Sequence, residues 1–500
     1  MKELDRLYEL LTKIELYDHA VKLLYFDFET IAPKASLEKE SDTMNFLENE
    51  IFKISNTQEF KDLVVALKKK ENELEPLDKI LINYLYENYL KEKNKTDEFA
   101  LLESKTFSQS FIRWQEARSK SDFSLFKDSL KKNIDILKQD VALREYKFDN
   151  VYDCLLDDHE KGMLQEDLDS FFEELKEGLI ELLNKIKASK HHIRTDFLSR
   201  EVPDRVQEEM SYYVLHLNGY DFNRGLLATT EHPFTLNVAQ DDARVTTHYY
   251  PTMFTASLFS SIHEGGHAIF MLNEPKEDFK HFINDHISDG MHESVSRFYE
   301  NVIGRSKEYI HLIYPKFKEI YKGYMDDVSE EELYEAINVV TPSLIRTEAD
   351  EVTYGLHIII RYEIEKKIFN GELSVDDIQK EWNKLYKEYL GVIVPDDRNG
   401  ILQDVHWTGG FGYFPSYALG NAYNQMYLLK LEESFSLKEA ILQADFERIN
   451  NWMINNVFKE ANHLSPKEWI KNLTGMELTP KPFLDYLNKK YSDIYKLKNS

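Results

Sequence analysis

The sequence predicts a mainly α-helical body that carries one small β-hairpin. Three observations point there. Apolar residues recur at helical spacing through most of the chain. Only 18 glycines and 13 prolines interrupt 500 residues. Charged residues make up 30% of the chain, enough to cover the outward faces of long amphipathic helices. A hydrophobic content of 42%, with 30 Phe and 30 Tyr, supplies a sizeable core and argues against disorder.

Taken in order, Leu4, Leu7, Leu11 and Ile14 share one face of an N-terminal helix. The stretch QEDLDSFFEELKEGLIELLNKIK repeats the pattern with Leu168, Phe171, Phe172, Leu175, Leu179, Leu182, Leu183 and Ile186, and Asp167 or Asp169 is placed to cap its start. Residues 232–254 read differently. Two β-leaning runs, Phe234–Val238 and Arg244–Tyr250, flank a turn-like AQDD, so a hairpin is expected directly before the helix containing His263. Residues 1–190 read as a helical N-terminal scaffold lobe and 191–500 as the lobe that carries the chemistry. No Pro/Gly/Ser-rich linker divides them, as expected for two lobes of one folded body.

The net charge of −27 disfavours nucleic acid and acidic membrane surfaces as partners. A single cysteine, Cys154, excludes a disulfide framework and a cysteine-based zinc site and suits a reducing, cytoplasmic setting. The acids around it disfavour a nucleophilic thiolate. The first residues, MKELDRLYELL, carry charges throughout and do not read as a signal peptide. No apolar run approaches the ~20 residues of a membrane span.

The chemistry concentrates in SSIHEGGHAIF, residues 260–270. His263 and His267 stand at i and i+4, on one helix face, where both imidazoles reach one metal ion. Glu264, turned by about 100° from His263, is better placed to work on a water than to be a ligand. That is the arrangement of a zinc hydrolase, in which the ion acidifies water and the glutamate carries the proton. The alternative is a helix with two incidental surface histidines. The flanking LFSSI and AIFML argue against it, because a buried helix does not hold three such groups without a shared task. A third ligand is required. The long metzincin pattern fails, since Phe270 and Asn273 occupy its last two places. Among the acids that follow, Glu293 at the start of a second amphipathic helix is favoured only modestly over Asp289. Gly265 and Gly266 cost helix stability, ~1 kcal/mol each relative to alanine. At one of them a missing Cβ is expected to let a neighbouring backbone come close.

Beyond this helix, HPF (232–234), DARVT (242–246), HES (292–294), IRTEAD (345–350) and GILQDVHW (400–407) follow in order around HEGGH, and FDFETIAP (26–33) stands near the N-terminus. On these motifs the chain resembles the carboxypeptidase Taq family, the M32 metallocarboxypeptidases. The N-terminal stretch is a reduced version of that family's W-D-x-x-T-x-M-P, keeping Asp27, Thr30 and Pro33. The resemblance implies a nearly all-helical fold with a deep cleft, similar to neurolysin and angiotensin-converting enzyme. It implies a homodimer, and one zinc or cobalt ion held by His263, His267 and Glu293. It also implies removal of single residues from peptide C-termini with broad side-chain tolerance.

Such an enzyme must recognise a free carboxylate, for which an arginine fork is suited. Of the arginines in these motifs, Arg346 is favoured as the clamp. Arg244 is expected near the substrate backbone or holding the hairpin. The alternative for each is an ion pair with neighbouring acids, Glu348 or Asp350 for Arg346 and Asp241 or Asp242 for Arg244. His406 is a candidate donor to the reaction oxyanion, with Asp404 as its partner. Tyr413 and Tyr417 follow in GGFGYFPSYALG, read as a flexible loop over the cleft, and either hydroxyl is a further candidate donor. Two other functions compete: a thimet-type endo-oligopeptidase on the same helical body, and a non-catalytic helical binding protein with a vestigial metal site.

Overall fold

The computed structural model describes residues 2–284 and 286–497. Among the described residues helix accounts for 68%, against one three-stranded sheet. Eight helices carry the argument and are labelled in chain order: α1 (Lys2–Thr30), α2 (Asp97–Lys120), α3 (Gln165–Ala188), α4 (Asp204–Asn218), α5 (Phe254–Leu272), α6 (Asp289–Arg297), α7 (Tyr354–Phe369) and α8 (Phe414–Ser434). None of the described helices is long and apolar enough to cross a membrane.

The helical faces read from the sequence are the buried ones. In α3 all eight named apolar residues are buried. Asp167 secures its start, its carboxylate accepting the Leu164 N–H, whereas Asp169 turns away to Tyr362 and Lys366. One large apolar core runs from Trp114 to Tyr495 and holds α3, α5, α6, α7 and α8 together. A smaller core gathers Leu7, Leu10 and Leu11 of α1 with Phe60, Val64, Leu67, Leu81, Ile82 and the distant Ile283.

The expected hairpin is present. β2 (Thr235–Ala239) pairs antiparallel with β3 (Asp242–Thr247). A third strand, β1 (Leu227–Thr229), adds parallel to β3, giving the order β1-β3-β2. At three residues it is too short to show an alternating pattern, and a parallel neighbour is fixed by tertiary placement. The reduced N-terminal motif lies at the end of α1 and backs this sheet. Tyr25 and Phe26 pack on Phe234, with ring centroids 5.7 and 6.3 Å apart, and the Val238 carbonyl lies 3.0 Å from His19 Nδ1.

Candidate metal centre and its cleft walls

Helix α5 puts His263 and His267 on one face, as their spacing requires, and α6 crosses it with Glu293. The Nε2 atoms of both histidines lie 3.6 Å from the same carboxylate oxygen, Glu293 Oε2. Ligand atoms placed tetrahedrally at Zn–N and Zn–O distances stand roughly 3.4 Å apart, so the three groups fit one such ion without rearrangement. Among the described residues this is the one cluster of three or more His, Cys, Asp or Glu side chains close enough to hold a metal. Asp289, the other acid weighed from spacing, faces elsewhere, its Oδ2 2.9 Å from His159 Nδ1.

Two glycines bring these helices together. A Cβ on Gly266 would stand 3.0 Å from Ser296 Cα and 3.1 Å from the Tyr299 ring, so α5 and α6 touch through that bare position. A Cβ on Gly420 of α8 would meet Glu293 Cγ at 3.0 Å, so α8 packs on the far side of Glu293. Gly265 faces only the end of the Leu215 side chain on α4.

An outer shell orients each group. His263 Nδ1 sits 2.9 Å from Glu300 Oε2, which leaves Nε2 free for an ion. Glu300 lies in a π-helical turn, Phe298–Gly304, that continues α6, and also accepts from Arg305 and Arg297. His267 Nδ1 is 2.5 Å from His292 Nδ1. Burial, reinforced by His267 and His263, pushes the His292 pKa well below the usual range, and an ion on His267 Nε2 would leave the His267 Nδ1–H to donate to His292. Glu293 is held by Arg297 Nε at 2.7 Å and by Ser296 Oγ at 3.1 Å. Burial disfavours its charge, yet Arg297 and His263 outweigh that and keep it ionised far below the usual carboxylate range. The same balance acts on His263: burial opposes the cation, but Glu293 and Glu300 hold its pKa up at about 9. Glu264 points from the same helix toward the hairpin, where Thr235 Oγ1 lies 2.7 Å from its Oε2. None of Thr235, His292, Glu300 or Arg297 was singled out from the sequence. Thr235 directly follows HPF and His292 opens HES, which were the available signals.

A second wall meets this one at Tyr354, whose ring lies 4.6 Å from the Arg297 guanidinium. Arg346 is 6% exposed, and its partner is neither Glu348 nor Asp350. Its Nε lies 3.0 Å from Asp404 Oδ1, and Nη1 donates to Tyr354 Oη at 3.2 Å. Asp404 therefore does not serve His406 as expected. Its second oxygen accepts from Arg361 Nε at 2.7 Å, so two guanidiniums share one carboxylate and the group keeps a net positive charge. Burial opposes the Asp404 charge, but Arg361 and Arg346 hold its pKa far below the aspartate range. Arg361, fully buried on α7, had no signal in the sequence beyond its place in an apolar run. Arg244 is bound by Asp242 at 2.7 Å and lies over the Phe26 ring at 5.0 Å, which places it at the junction of hairpin and α1.

His406 sits in a short turn with Nδ1 buried and without a hydrogen-bond partner among the described residues, and Nε2 3.4 Å from Tyr417 Oη. Burial, reinforced by Arg346 and Arg361 against Asp404, lowers its pKa to about 4, so the ring is neutral at pH 7. Tyr413 and Tyr417 stack edge to face at 5.0 Å, and Tyr417 already belongs to α8. The glycine-rich stretch is pinned where a flexible loop was expected. The Gly412 N–H and the Tyr152 hydroxyl donate to one oxygen of the buried Glu365, and Trp407 Nε1 donates to the other. Cys154 is buried and its pKa is raised, with burial as the leading cause.

The family described as "Carboxypeptidase Taq (M32) metallopeptidase" matches residues 6–491. The chain is 39% identical to "Carboxypeptidase 1" of Bacillus subtilis (strain 168) over 496 residues, 98% of each chain. It is 32% identical to "Thermostable carboxypeptidase 1" of Pyrococcus furiosus over 477 residues, 95% of each. The crystal structure of an M32 carboxypeptidase from Deinococcus radiodurans R1 superposes with a TM-score of 0.95 at 30% identity, covering 99% of this chain and 100% of that one.

Proposed function

The chain belongs to the carboxypeptidase Taq (M32) metallopeptidase family, and from that premise we propose that it removes single residues from the C-termini of peptides with broad tolerance for the side chain released. The observation that carries this reading is the pair of histidine Nε2 atoms 3.6 Å from Glu293 Oε2, with Glu264 beside them on the same helix. His263, His267 and Glu293 would hold one divalent ion, zinc or cobalt, since imidazole and carboxylate suit both. When bound, that ion supplies Lewis acidity toward a water and the scissile carbonyl.

The chain's own groups do the rest. Glu264, steadied by Thr235, takes the proton of the attacking water and returns it to the leaving amine. Neutral His406 and Tyr417 donate to the carbonyl oxygen as it gains charge. The net positive Arg346–Asp404–Arg361 group attracts the free terminal carboxylate, with Arg346 as its nearer fork. Tyr413 lines the cleft beside Tyr417, and Arg244 keeps the hairpin in place under Glu264. A homodimer working in the reducing cytoplasm completes the reading, which the single buried cysteine suits.

The test is mass spectrometry of a short peptide and its C-terminal amide, incubated with the metal-loaded protein. The free peptide is expected to lose one residue at a time and the amide to stay intact. Equal cutting of the amide, or internal cleavage, would replace this reading with an endo-oligopeptidase. Loss of all cutting in both would leave a binding protein.

A further inference from the structure

Eleven of the 15 arginines form an ion pair with a carboxylate. Among the described residues, Arg118, Arg205, Arg398 and Arg448 show none. Acids are not scarce, since Asp and Glu number 89 against 62 Lys and Arg. Yet two of those four, Arg118 and Arg398, line the same pocket of about 340 Å3, together with Trp114, Gln115 and Ser119. It lies between the C-terminal end of α2 and the loop that leads into GILQDVHW, remote in sequence from the metal ligands.

The pocket is firmly built. Trp114 Nε1 donates to the Leu402 carbonyl at 3.2 Å, and the Arg398 N–H donates to Ser121 Oγ at 3.1 Å. Three nearby acids are engaged elsewhere. Glu116 takes Arg113 and Lys120, Asp396 takes Asn399, and Asp397 takes the Phe123 N–H and Gln379. Arg118 lies over the Trp114 ring, 5.5 Å from its centroid, and its Nε is buried with no hydrogen-bond partner among the described residues. Leaving a buried charged donor unmade is costly. Surrounding acids that are turned away from two arginines leave room for an acid that comes from outside.

We propose that this pocket binds a small organic anion. Its carboxylate or phosphate lies between Arg118 and Arg398, and its apolar body packs against Trp114. The volume suits a compact ligand, and two arginines lining one pocket suit a planar or tetrahedral oxyanion.

Isothermal titration of the metal-loaded full chain with phenyl phosphate, benzoate and inorganic phosphate tests it. At least one of the two aromatic anions is expected to bind with a Kd of about 1 mM or tighter, more weakly as salt rises. The better of the two names the acid group. Inorganic phosphate, lacking the apolar body, is expected to bind less well than phenyl phosphate. R398Q and R118Q should each weaken binding at least tenfold, and R118K, which keeps charge but not the fork, by less. Arg398 is exposed on a loop, so R398Q should fold normally and hydrolyse peptides at the unmodified rate without the anion, which separates this pocket from the catalytic cleft. Absence of binding by both aromatic anions, or unchanged affinity in R398Q, would overturn the proposal.

Discussion

The two walls of the candidate site are held in different ways. The metal wall is helix against helix: His263, Glu264 and His267 are fixed by the periodicity of α5, and Glu293 by α6 packed on it through Gly266. The second wall joins a short turn, a loop and helix α7 by charge. Asp404 reaches 58 residues back to Arg346 and 43 back to Arg361. Periodicity places a side chain without help from distant residues, so the first wall is robust to single changes away from its contacts. The second depends on one shared carboxylate.

The largest expected effect lies on the metal wall and is chemical. Glu264→Gln keeps the helix and the three ligands, so metal content should match the unsubstituted protein while turnover falls by about 10²–10⁴-fold. Metal analysis beside a peptide assay checks it, and near-normal activity would remove Glu264 from the mechanism. The next effect is on the other wall and is structural. Asp404→Ala leaves the fully buried Arg361 without its carboxylate, and breaking such a pair costs about 3–5 kcal/mol, with KM raised as Arg346 loses its anchor. Urea unfolding and steady-state kinetics read both. Because the folded pKa of Asp404 is depressed, its contribution is complete above the unfolded value of ~3.9 and fades as pH falls below it. The difference in stability between the unsubstituted protein and D404A should therefore shrink in acid.

The smallest expected effect separates two neighbouring glycines. Gly266→Ala must push apart α5 and the α6 backbone, a misfit of about 1–3 kcal/mol, partly offset by better helix propensity. Gly265→Ala asks only the tip of Leu215 to move and should be close to neutral. Thermal melts with activity measurements decide it. If both alanine variants are more stable and fully active, the close approach of α5 and α6 has no such consequence.

Much of the metal wall was legible because i, i+4 spacing is a local rule. Spacing alone left Glu293 only modestly ahead of Asp289, since both lie in the first turns of one helix, and the family resemblance rather than periodicity named Glu293. The mutual placement of Arg346, Arg361 and Asp404 was not legible. Local acids such as Glu348 compete equally on paper, and nothing in a linear sequence ranks a partner 58 residues away above one two residues away.

By itself, then, the sequence determined the helical faces, the hairpin before α5, and the histidines and glutamate of one helix turn, because periods of 3.6 and 2 act on neighbouring residues. Only the tertiary structure decided that Gly266 and Gly420 close α6 between two helices, and that Glu300 and His292 contact His263 and His267. It alone decided that Asp404 serves two arginines, and that Arg118 and Arg398 line one pocket. Those outcomes rest on distances across the core, where burial makes each unpaired charge costly and fixes which distant groups must meet.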